Sequence, residues 1–357
     1  MHTQSKYRLL VVRLGAMGDV LHALPAVTAL RRAHPSWVID WVIEPAWCAL
    51  LTANCEVANP GLGPAQPVVD RLHMASTKAW RHHPFSSDTR REIKALRQQL
   101  RACGYDAVVD FQGAVRSAAV GRMTGCLRRI GESSPREWAA RWGYTERIVT
   151  HGAHVIEQDL ELAAAVAGDD LAAVAPLLPV DCGAEAWCDQ LLPPSEHSPA
   201  ALLNPGAGWG AKRWPVERYA EVARMLAGRG FRILLNAGPG EEPLAEAIRE
   251  QSGGAALPCY CSVAQLIALT RRMALVIAGD TGPLHLACAL GRPVVGIYGP
   301  TDPARNGPFG ARFRVLRSPN SRRDHSRRSE PEAGLLTITP KAVLQAADEL
   351  LAGETVP

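Results

Sequence analysis

A single carboxylate near the N-terminus stands where a strand is expected to turn into a helix. Asp19 lies in the segment Arg13–His22, which joins the apolar run Leu9–Val12 to a helical pattern. A strand, a glycine-containing turn and a helix start form the first unit of a nucleotide-type α/β fold, and such folds bind ligands at the carboxyl ends of their strands. Two roles are open for Asp19: a cap of the helix, where Asp is favoured, or a group that does chemistry.

Further polar residues follow the strands of the C-terminal half. The turn Asn204–Pro215 carries three glycines before or beside Lys212. This pattern suits a diphosphate, because backbone N–H groups and a helix N-terminus meet its oxygens while the ammonium adds a full charge. It is not a Walker loop, since Arg213 stands where Ser or Thr would hold magnesium. Glu241, after a Gly-Pro-Gly turn, is a candidate acceptor for ribose hydroxyls.

The strand Leu275–Ala278 is followed by a third polar turn. Asp280, Thr281 and Gly282 offer a carboxylate, a hydroxyl and backbone donors. Each residue of these three turns also has an ordinary structural role open to it. Lys212 could be a surface lysine in a tight turn, Glu241 a favourable charge in the first turn of a helix, and Asp280 a helix cap. Together, at successive strand ends of one sheet, they favour a nucleotide-diphosphate site. The sequence has no Asp-x-Asp pair and no His/Cys cluster, so it does not demand a divalent metal.

Alternating strand and helix patterns recur along the 357-residue chain and are clearest in its second half. This length suits two domains of roughly 150 residues each, and the alternation predicts an α/β fold with doubly wound parallel sheets. We place the first domain at 1–178 and the second at 179–339. The helical pattern at 340–357 is expected to cross back onto the first domain.

Composition limits the functional classes. A net charge of only +4 argues against a nucleic-acid partner. No apolar run approaches the ~18 residues that span a bilayer, and the N-terminus lacks the shape of a signal peptide. The nine cysteines have no zinc-ligand spacing. We therefore expect reduced thiols and a cytoplasmic location.

Four stretches of the sequence carry local predictions. Pro25 is expected to start the main first helix after a separate short turn, and residues 59–90, rich in Pro, Gly, His and Ser, predict a loop. Six arginines between residues 122 and 147 are interleaved with Trp138 and Trp142. Such a loop is usually a solvated surface, but the tryptophans favour a site for an anion or an amphiphile. The basic stretch Arg317–Gly334, with Arg322, Arg323, Arg327 and Arg328, fits lipid headgroups or a solvated loop equally well.

Several motifs in fixed order resemble one family. They are Met17–Pro25, Asp110–Ser117, Lys212–Pro215, Gly279–His285 and Tyr298–Pro303. This set is similar to that of the ADP-heptose:lipopolysaccharide heptosyltransferases, glycosyltransferase family 9, and is heptosyltransferase I-like. The resemblance covers the chain from Arg8 to Phe309.

The resemblance implies the GT-B fold, in which two Rossmann-like domains face each other across a cleft. It implies an acceptor side in the first domain, a donor side in the second, and inverting transfer without a metal or other cofactor. The implied donor is ADP-heptose, and the implied acceptor is the Kdo-bearing inner core on lipid A. We accordingly expect a monomer in peripheral contact with the cytoplasmic face of the inner membrane of a Gram-negative-type bacterium.

The resemblance also implies roles for individual residues. Asp19 becomes the general base, Lys212 the partner of the donor diphosphate, and Glu241 the contact to the ribose. The other donor-side residues are Asp280, Thr281, Gly282, His285, Gly206 and Gly208. The acceptor-side residues are Gly18, Lys78, Arg116, Arg136 and Arg141. One departure is that the turn Gly206–Gly208 lacks the Thr or Ser often found there in heptosyltransferase I members.

Other functions fit the same pattern. A nucleotide-sugar epimerase or hydrolase of GT-B fold would use the same donor pocket but would leave the arginine-rich first half unexplained. A family 9 transferase with a different sugar or a later acceptor, and a module that only senses a nucleotide sugar, are further alternatives.

Overall fold

The structure is a computed structural model, and it describes residues 6–53, 62–193, 198–310, 312–324 and 328–353. The chain divides into two compact units, Met1–Val180 and Asp181–Pro357. Each unit contains one six-stranded sheet with parallel strands. The boundary falls close to the one expected between residues 178 and 179.

The sheet of the first unit has the strand order β3-β2-β1-β4-β5-β6. Its strands are β1 (Arg8–Val12), β2 (Val38–Ile43), β3 (Arg71–Met74), β4 (Ala107–Asp110), β5 (Arg129–Glu132) and β6 (Glu146–Ile148). Its helices are α1 (Met17–Ala33), α2 (Thr77–His82), α3 (Ser87–Cys103), α4 (Val115–Met123) and α5 (Val155–Ala167), with 3₁₀ turns at Pro45–Leu50 and Trp138–Gly143. The central strand β1 is buried along nearly its whole length, as expected for a parallel strand covered on both faces.

The sheet of the second unit has the order β12-β11-β10-β7-β8-β9. Its strands are β7 (Ala200–Asn204), β8 (Arg232–Asn236), β9 (Ala256–Cys259), β10 (Leu275–Gly279), β11 (Val294–Tyr298) and β12 (Phe313–Arg317). Its helices are α6 (Cys182–Leu191), α7 (Val216–Ala227), α8 (Glu242–Gln251), α9 (Val263–Arg271), α10 (Gly282–Ala289), α11 (Pro303–Asn306) and α12 (Pro340–Leu351), with 3₁₀ turns at Gly210–Lys212 and Leu335–Thr337. The turns after β7, β8, β10 and β11 lie at one edge, because parallel strands end on the same side.

Helix α1 corrects the expectation for Pro25. The helix runs without a break from Met17 to Ala33, and Pro25 is buried in its middle rather than at its start. A proline inside a helix removes one hydrogen bond. That loss is offset by packing, since α1 is buried along most of its length and lies against α5. Asp19 therefore belongs to the first turn of a long, fixed helix.

The predicted loop at 59–90 is also corrected. Strand β3 and helices α2 and the start of α3 lie within it, while residues 54–61 fall outside the described ranges. β3 is an edge strand of four residues with mixed polar and apolar side chains. Short, partly polar edge strands lack the apolar run by which a strand is recognised in a sequence.

The C-terminal helix α12 belongs to the second unit. Its apolar face, with Val343, Leu344, Ala347 and Leu350, is buried in the core of that unit. α12 packs against α7 and the strands β11 and β12. The expectation that this segment crosses back onto the first domain is corrected, since its apolar stripe covers the sheet of the second unit.

The cysteines are mostly free thiols. Cys103, Cys126, Cys182, Cys188, Cys259, Cys261 and Cys288 are unpaired by disulfides. Cys48 is disulfide-bonded, so the expectation of reduced thiols is wrong for that residue. Within the described ranges, no helix combines the length and apolar character needed to cross a membrane.

Candidate active site

The Asp19 carboxylate lies at the first turn of α1, directly after β1. Asp19 is the third residue of the helix and not its cap, and its Oδ2 accepts a hydrogen bond from the Ala16 N–H at 3.1 Å. The side chain remains 37 % exposed. Asp19 therefore satisfies one backbone donor at the helix start and keeps a carboxylate accessible to a ligand.

Arg13 is a second functional candidate at this turn, and no pattern in the sequence singles it out. Its Nη2 lies 3.3 Å from Asp19 Oδ1, and its Nε donates to the Asp19 carbonyl at 3.1 Å. Its Nη1 donates to the carbonyl of Phe111, after β4. The guanidinium is buried, with 7 % of the side chain exposed. Arg13 thus orients Asp19 and ties the β1 turn to the β4 turn.

Gly15 leaves room for an indole within the same turn. Its φ is +148°, and a Cβ at this position would lie 2.6 Å from two ring atoms of Trp47. A larger residue would displace the ring or the turn.

The β4–α4 turn is organised by the buried carboxylate of Asp110. It accepts hydrogen bonds from the Gln112 N–H at 2.8 Å, the Ser117 hydroxyl at 2.7 Å and the Tyr144 hydroxyl at 2.9 Å. Burial raises the pKa of Asp110, although these hydrogen bonds act in the opposite direction. The Gln112 side-chain oxygen accepts from the Leu14 N–H at 2.8 Å, which aligns this turn with the one that carries Asp19.

A buried acid of α5, Asp159, interacts electrostatically with the charged residues of the Asp19 turn. Asp159 is 3 % exposed, and its Oδ2 has no hydrogen-bond partner among the described residues. Burial raises the pKa of Asp159 to about 7, while the positive charge of Arg13 acts to lower it and the negative charge of Asp19 to raise it. No signal in the sequence singles out this residue, because its pKa depends on the packing of α5.

Three of the predicted acceptor residues share one edge of the first sheet with Asp19. Gly18 directly precedes Asp19 in α1. Lys78 is exposed near the start of α2, soon after β3, and its N–H donates to Glu44 Oε1 at 3.1 Å. Arg116 is exposed in the first turn of α4, after β4. Because these strands are parallel, their carboxyl ends bring these residues to the same edge.

The other two predicted acceptor residues, Arg136 and Arg141, follow β5 in the chain. Arg136 is exposed beside the β4–α4 turn: a Cβ at Gly113 would lie 3.0 Å from its backbone nitrogen. Arg141 lies over the ring of Trp138, 5.2 Å from the ring centroid. Arg136 therefore belongs to the edge that carries Asp19, whereas Arg141 is grouped with an aromatic side chain.

In the second unit, the predicted donor residues Lys212, Asp280 and His285 form one network. Lys212 Nζ lies 2.5 Å from Asp280 Oδ2, and His285 Nε2 lies 3.4 Å from Asp280 Oδ1. Burial opposes ionisation of Asp280, but the hydrogen bond from His285 and the charge of Lys212 outweigh it and hold the pKa of Asp280 well below its usual range. Asp280 is therefore a buried anion that fixes the ammonium.

The Lys212 ammonium also contacts the ring of Trp209, whose centroid lies 4.3 Å from Nζ. An ammonium has three donor hydrogens, so the pairing with Asp280 leaves capacity for a ligand oxygen. Lys212 is thus held by an anion and an aromatic face in a position from which it can still bind a phosphate.

A cavity of about 130 Å³ lies beside this network in the second unit. It is lined by Asn204, Gly206, Ala207, Gly208, Asn236, Glu241, Thr281 and Pro283. Four of these residues, Gly206, Gly208, Glu241 and Thr281, are among the predicted donor residues. Gly208 has nothing within 4 Å of its missing Cβ. Asn204 and Asn236 were missed, although both stand at the ends of buried strands.

Gly206 also makes a close approach to the side chain of Glu241. A Cβ there would lie 2.1 Å from both carboxylate oxygens of Glu241. Glu241 is held in addition by the Gly238 N–H, which donates to its Oε2 at 2.9 Å. Gly206 therefore makes room for the Glu241 carboxylate at the cavity wall.

The start of α10 completes the wall. Thr281 occupies the cap position and Gly282 is the first residue of the helix. The first N–H groups of a helix have no partner within it, and the positive end of the helix dipole favours an anion there. The predicted anion-binding role of Thr281 and Gly282 is therefore compatible with their position.

Around these turns, four buried polar side-chain atoms lack a hydrogen-bond partner among the described residues. They are Asn204 Nδ2, Trp209 Nε1, Tyr298 OH and Thr301 Oγ1. Buried polar groups are almost always paired, so each exception calls for a reason. Of the four residues, Asn204 lines the cavity, where a polar ligand would supply the partner that its amide lacks.

Residues of the basic stretch Arg317–Gly334 pack against the turn that carries Lys212. The Ala211 N–H donates to the Arg328 carbonyl at 3.1 Å, and the Ala211 carbonyl accepts from the Glu332 N–H at 3.1 Å. Arg323 is paired with Asp302 at 2.6 Å and Arg328 with Asp324 at 3.0 Å. Arg327 lies outside the described residues. This stretch therefore supports the Lys212 turn, and two of its arginines already have anionic partners.

The described residues contain one group of side chains close enough together to hold a metal ion. Asp40, His73 and Cys103 of the first unit have potential ligand atoms within 4.8 Å of one another. The Tyr105 hydroxyl bonds both Asp40, at 2.7 Å, and His73, at 2.8 Å. This buried group belongs to the first unit, whereas the predicted diphosphate residues are in the second.

Known proteins share this architecture. A profile of glycosyltransferase family 9 (heptosyltransferase) matches residues 93–335. The chain is 30 % identical over 349 residues to lipopolysaccharide heptosyltransferase 1 of Escherichia coli strain K12, covering 96 % of this chain and all of that protein. The structure of E. coli heptosyltransferase WaaC with ADP superposes with a TM-score of 0.78 at 29 % identity, covering 96 % of this chain and 99 % of the other.

A second WaaC structure, with ADP-2-deoxy-2-fluoro heptose, gives a TM-score of 0.75 at 30 % identity, with 96 % and 99 % of the two chains covered. The predicted fold class, two Rossmann-like domains of the GT-B type, is confirmed by these neighbours and by the two parallel sheets. The profile matches more than half of the chain. The protein is a glycosyltransferase, and it belongs to glycosyltransferase family 9 (heptosyltransferase).

Proposed function

We propose that this chain transfers heptose from ADP-heptose to the Kdo-bearing inner core of lipopolysaccharide on lipid A. The observation that carries the proposal is the buried Lys212–Asp280–His285 network beside a cavity that presents Glu241. Relatives named as lipopolysaccharide heptosyltransferase 1, and WaaC structures with ADP and with a fluorinated ADP-heptose, support the donor.

The donor contacts follow from the chemistry of the cavity. Glu241 accepts hydrogen bonds from the ribose hydroxyls, and Lys212 with the start of α10 meets the diphosphate. Asp280, itself held by His285, fixes the ammonium, while Thr281, Gly282 and Gly208 line the path of the phosphates and the sugar. Asn204 Nδ2 is buried without a hydrogen-bond partner among the described residues, and it donates a hydrogen bond to the bound nucleotide sugar.

Transfer is proposed to invert the anomeric centre by in-line displacement with oxocarbenium character. Asp19 takes the proton from the acceptor hydroxyl as the new bond forms, and a positioned carboxylate of this kind contributes ~10²–10⁴-fold. Arg13 orients Asp19 through its contacts at 3.3 and 3.1 Å. Lys212 and the α10 N-terminus stabilise the charge that develops on the leaving ADP.

We propose that the reaction needs no divalent metal, because Lys212 supplies the positive charge beside the diphosphate. Dialysis against EDTA is expected to leave the transfer rate unchanged, and added Mg²⁺ is expected not to raise it. Loss of activity on chelation, restored by a metal, would contradict this part of the proposal.

The acceptor is anionic and bound to lipid. Lys78, Arg116 and Arg136, exposed at the edge that carries Asp19, are proposed to meet its phosphate and carboxylate groups. Gly18 is proposed to allow the acceptor close to Asp19. We propose further that the enzyme is a monomer in peripheral contact with the cytoplasmic face of the inner membrane, where it would meet a lipid-borne acceptor.

The product of a defined reaction tests the proposal. ADP-heptose and Kdo-bearing lipid A are incubated with the protein, and the lipid is analysed by mass spectrometry and NMR. We expect one added heptose, ADP in equal amount, and inverted anomeric configuration. Free sugar without acceptor would indicate a hydrolase or epimerase, and transfer only to an acceptor that already carries heptose would indicate a later step.

A further inference from the structure

Two tryptophans project from the first unit beside arginine side chains. We call Trp138, Arg141, Trp142 and Arg147 the aromatic–arginine patch. Trp138 and Trp142 are 59 % and 63 % exposed, and their rings meet edge to face with centroids 5.0 Å apart. Arg141 lies over Trp138, and Arg147 Nε donates to the Arg141 carbonyl at 3.2 Å. The four residues therefore form one continuous surface.

The backbone beneath this patch is firmly packed. Ala140 and Tyr144 are buried against Ala118 of α4. A Cβ at Gly143 would lie 2.8 Å from the Ala118 Cβ, so the turn and α4 are in close contact. Tyr144 is further bonded to Asp110 at 2.9 Å. The tryptophans are thus held outward by a fixed turn, and their exposure does not come from a loose loop.

The charge around the patch is positive. Among the described residues, Arg136, Arg141 and Arg147 take part in no ion pair. Of the neighbouring acids, Glu146 is paired with Arg128 at 3.0 Å. Glu137 accepts from the Val115 N–H at 2.8 Å and keeps its negative charge, so the arginines still outnumber the unpaired acid. Exposed indoles and arginines without anionic partners therefore lie together.

The patch adjoins the edge of the sheet that carries Asp19. The Glu137 N–H donates to the Gly113 carbonyl at 2.8 Å, in the turn after β4. The same turn supplies the Phe111 carbonyl to Arg13, which contacts Asp19. A surface in contact with the patch would consequently lie beside the proposed acceptor site.

We propose that the aromatic–arginine patch docks this protein on an anionic lipid bilayer, with Trp138 and Trp142 at the level of the headgroups. Indole rings favour the membrane–water interface because they are apolar with one polar N–H. Arginines are attracted to the negative surface of the bilayer, and each basic residue strengthens binding about fivefold. The biological role of the docking rests on the proposed transfer to a lipid-borne acceptor. Binding of the protein to a bilayer can be measured without that reaction.

Binding to vesicles tests the docking without either substrate. The full chain is sedimented with vesicles of phosphatidylcholine containing phosphatidylglycerol, and with vesicles of phosphatidylcholine alone. We expect binding to the anionic vesicles that weakens with added salt, and quenching of tryptophan fluorescence by brominated lipids. W138S/W142S is expected to lose about tenfold or more in affinity and most of the quenching.

The control is Tyr260→Ser, which removes an aromatic side chain that is 52 % exposed in the second unit. This variant should bind vesicles as the wild type does. Unchanged circular dichroism and melting temperature show that both variants are folded. Wild-type vesicle binding by W138S/W142S would overturn the proposal, as would a lipid-free dimer in sedimentation velocity that this double variant abolishes.

Transfer rates separate this inference from the proposed function. W138S/W142S should transfer heptose more slowly to acceptor embedded in anionic vesicles, and at the wild-type rate to a Kdo acceptor freed from its lipid chains. Equal loss on both acceptors would contradict docking. Vesicle binding by a wild type that transfers no heptose would refute the proposed function and leave the docking surface intact.

Discussion

Lys212 and Arg213 are neighbouring cations with different surroundings. The Lys212 side chain is 11 % exposed and is paired with Asp280, whereas Arg213 is exposed. A charged hydrogen bond to a phosphate contributes about 1.5–3 kcal/mol. The environment of the ammonium, and not its charge alone, therefore distinguishes Lys212 as the proposed donor contact.

Lys212→Ala is expected to weaken ADP binding about 10- to 100-fold, because the diphosphate loses its cation. Calorimetry with ADP measures the dissociation constant. Arg213→Ala is the matched control and should bind ADP as the wild type does. Equal losses in the two variants would show that general surface charge, and not the Lys212–Asp280 pair, holds the nucleotide.

For individual residues, the sequence predicts which polar side chains of the second unit lie near one another, but it does not predict the contacts of Arg13 or the burial of Asp159. Lys212, Glu241 and Asp280 follow buried strands, and strand ends of one parallel sheet meet at one edge. Arg13 could not be assigned because its partner Phe111 lies far along the chain. Asp159 could not be assigned because burial, which follows from the packing of α5, sets its pKa.

Helix α8 and the β7 turn meet at Gly206. The Glu241 carboxylate occupies the space that a side chain at residue 206 would need, so the two elements are matched by the absence of a Cβ. Gly206→Ala should push Glu241 away from the cavity wall and weaken ADP-heptose binding about tenfold, the loss of about one charged hydrogen bond.

Gly183→Ala serves as the control for this variant, because α6 is in the same unit and the added Cβ would meet one side-chain oxygen at 3.3 Å. Its ADP-heptose affinity should equal that of the wild type. An unchanged affinity in Gly206→Ala would show that Glu241 does not bind the donor, or that it can bind from a shifted position.

Helix α5 carries a pH-dependent contribution to stability. The pKa of Asp159 rises to about 7 on folding, so the folded state keeps a proton that the unfolded chain has lost. This contribution is present below about pH 4 and is lost as the pH rises through about 7, at about 1.4 kcal/mol per pH unit. The free energy of unfolding should therefore fall over this range because of Asp159.

Asp159→Asn removes the titrating group and should flatten this part of the pH dependence. Urea unfolding of wild type and variant, followed at several pH values between about 4 and 8, gives the difference directly. The variant should gain stability relative to the wild type as the pH rises. Parallel curves for the two proteins would mean that Asp159 ionises as freely in the folded chain as in the unfolded one.

Elements with strong apolar runs were predictable, and those set by tertiary packing were not. β7 and β10 are buried along their whole length, and β1 is buried from Leu9 to Val12. β3 is a short edge strand without such a run, and α1 continues through Pro25 because its buried faces outweigh one lost hydrogen bond. The amphipathic pattern of α12 predicts a helix but does not say which sheet it covers.

At the scale of the whole molecule, alternating strands and helices were enough to predict two parallel-sheet units. The order of the strands within each sheet does not follow from that alternation, because it depends on which strands pair after the chain crosses over. The proposed donor residues belong to the second unit, and the proposed base belongs to the first. A change confined to Asp19 should therefore alter turnover and leave donor affinity unchanged.

Asp19→Asn tests this division most directly. Asn keeps the size of the side chain and an oxygen for the Ala16 N–H, but it cannot take a proton from the acceptor hydroxyl. Asp88→Asn is the control, since Asp88 is an exposed acid on α3 of the same unit. Heptose transfer is measured at saturating substrates, and ADP binding is measured by calorimetry. We predict a fall in kcat of ~10²–10⁴-fold for Asp19→Asn with unchanged ADP affinity, and wild-type values for Asp88→Asn. Wild-type turnover by Asp19→Asn would contradict the assignment of Asp19 as the general base.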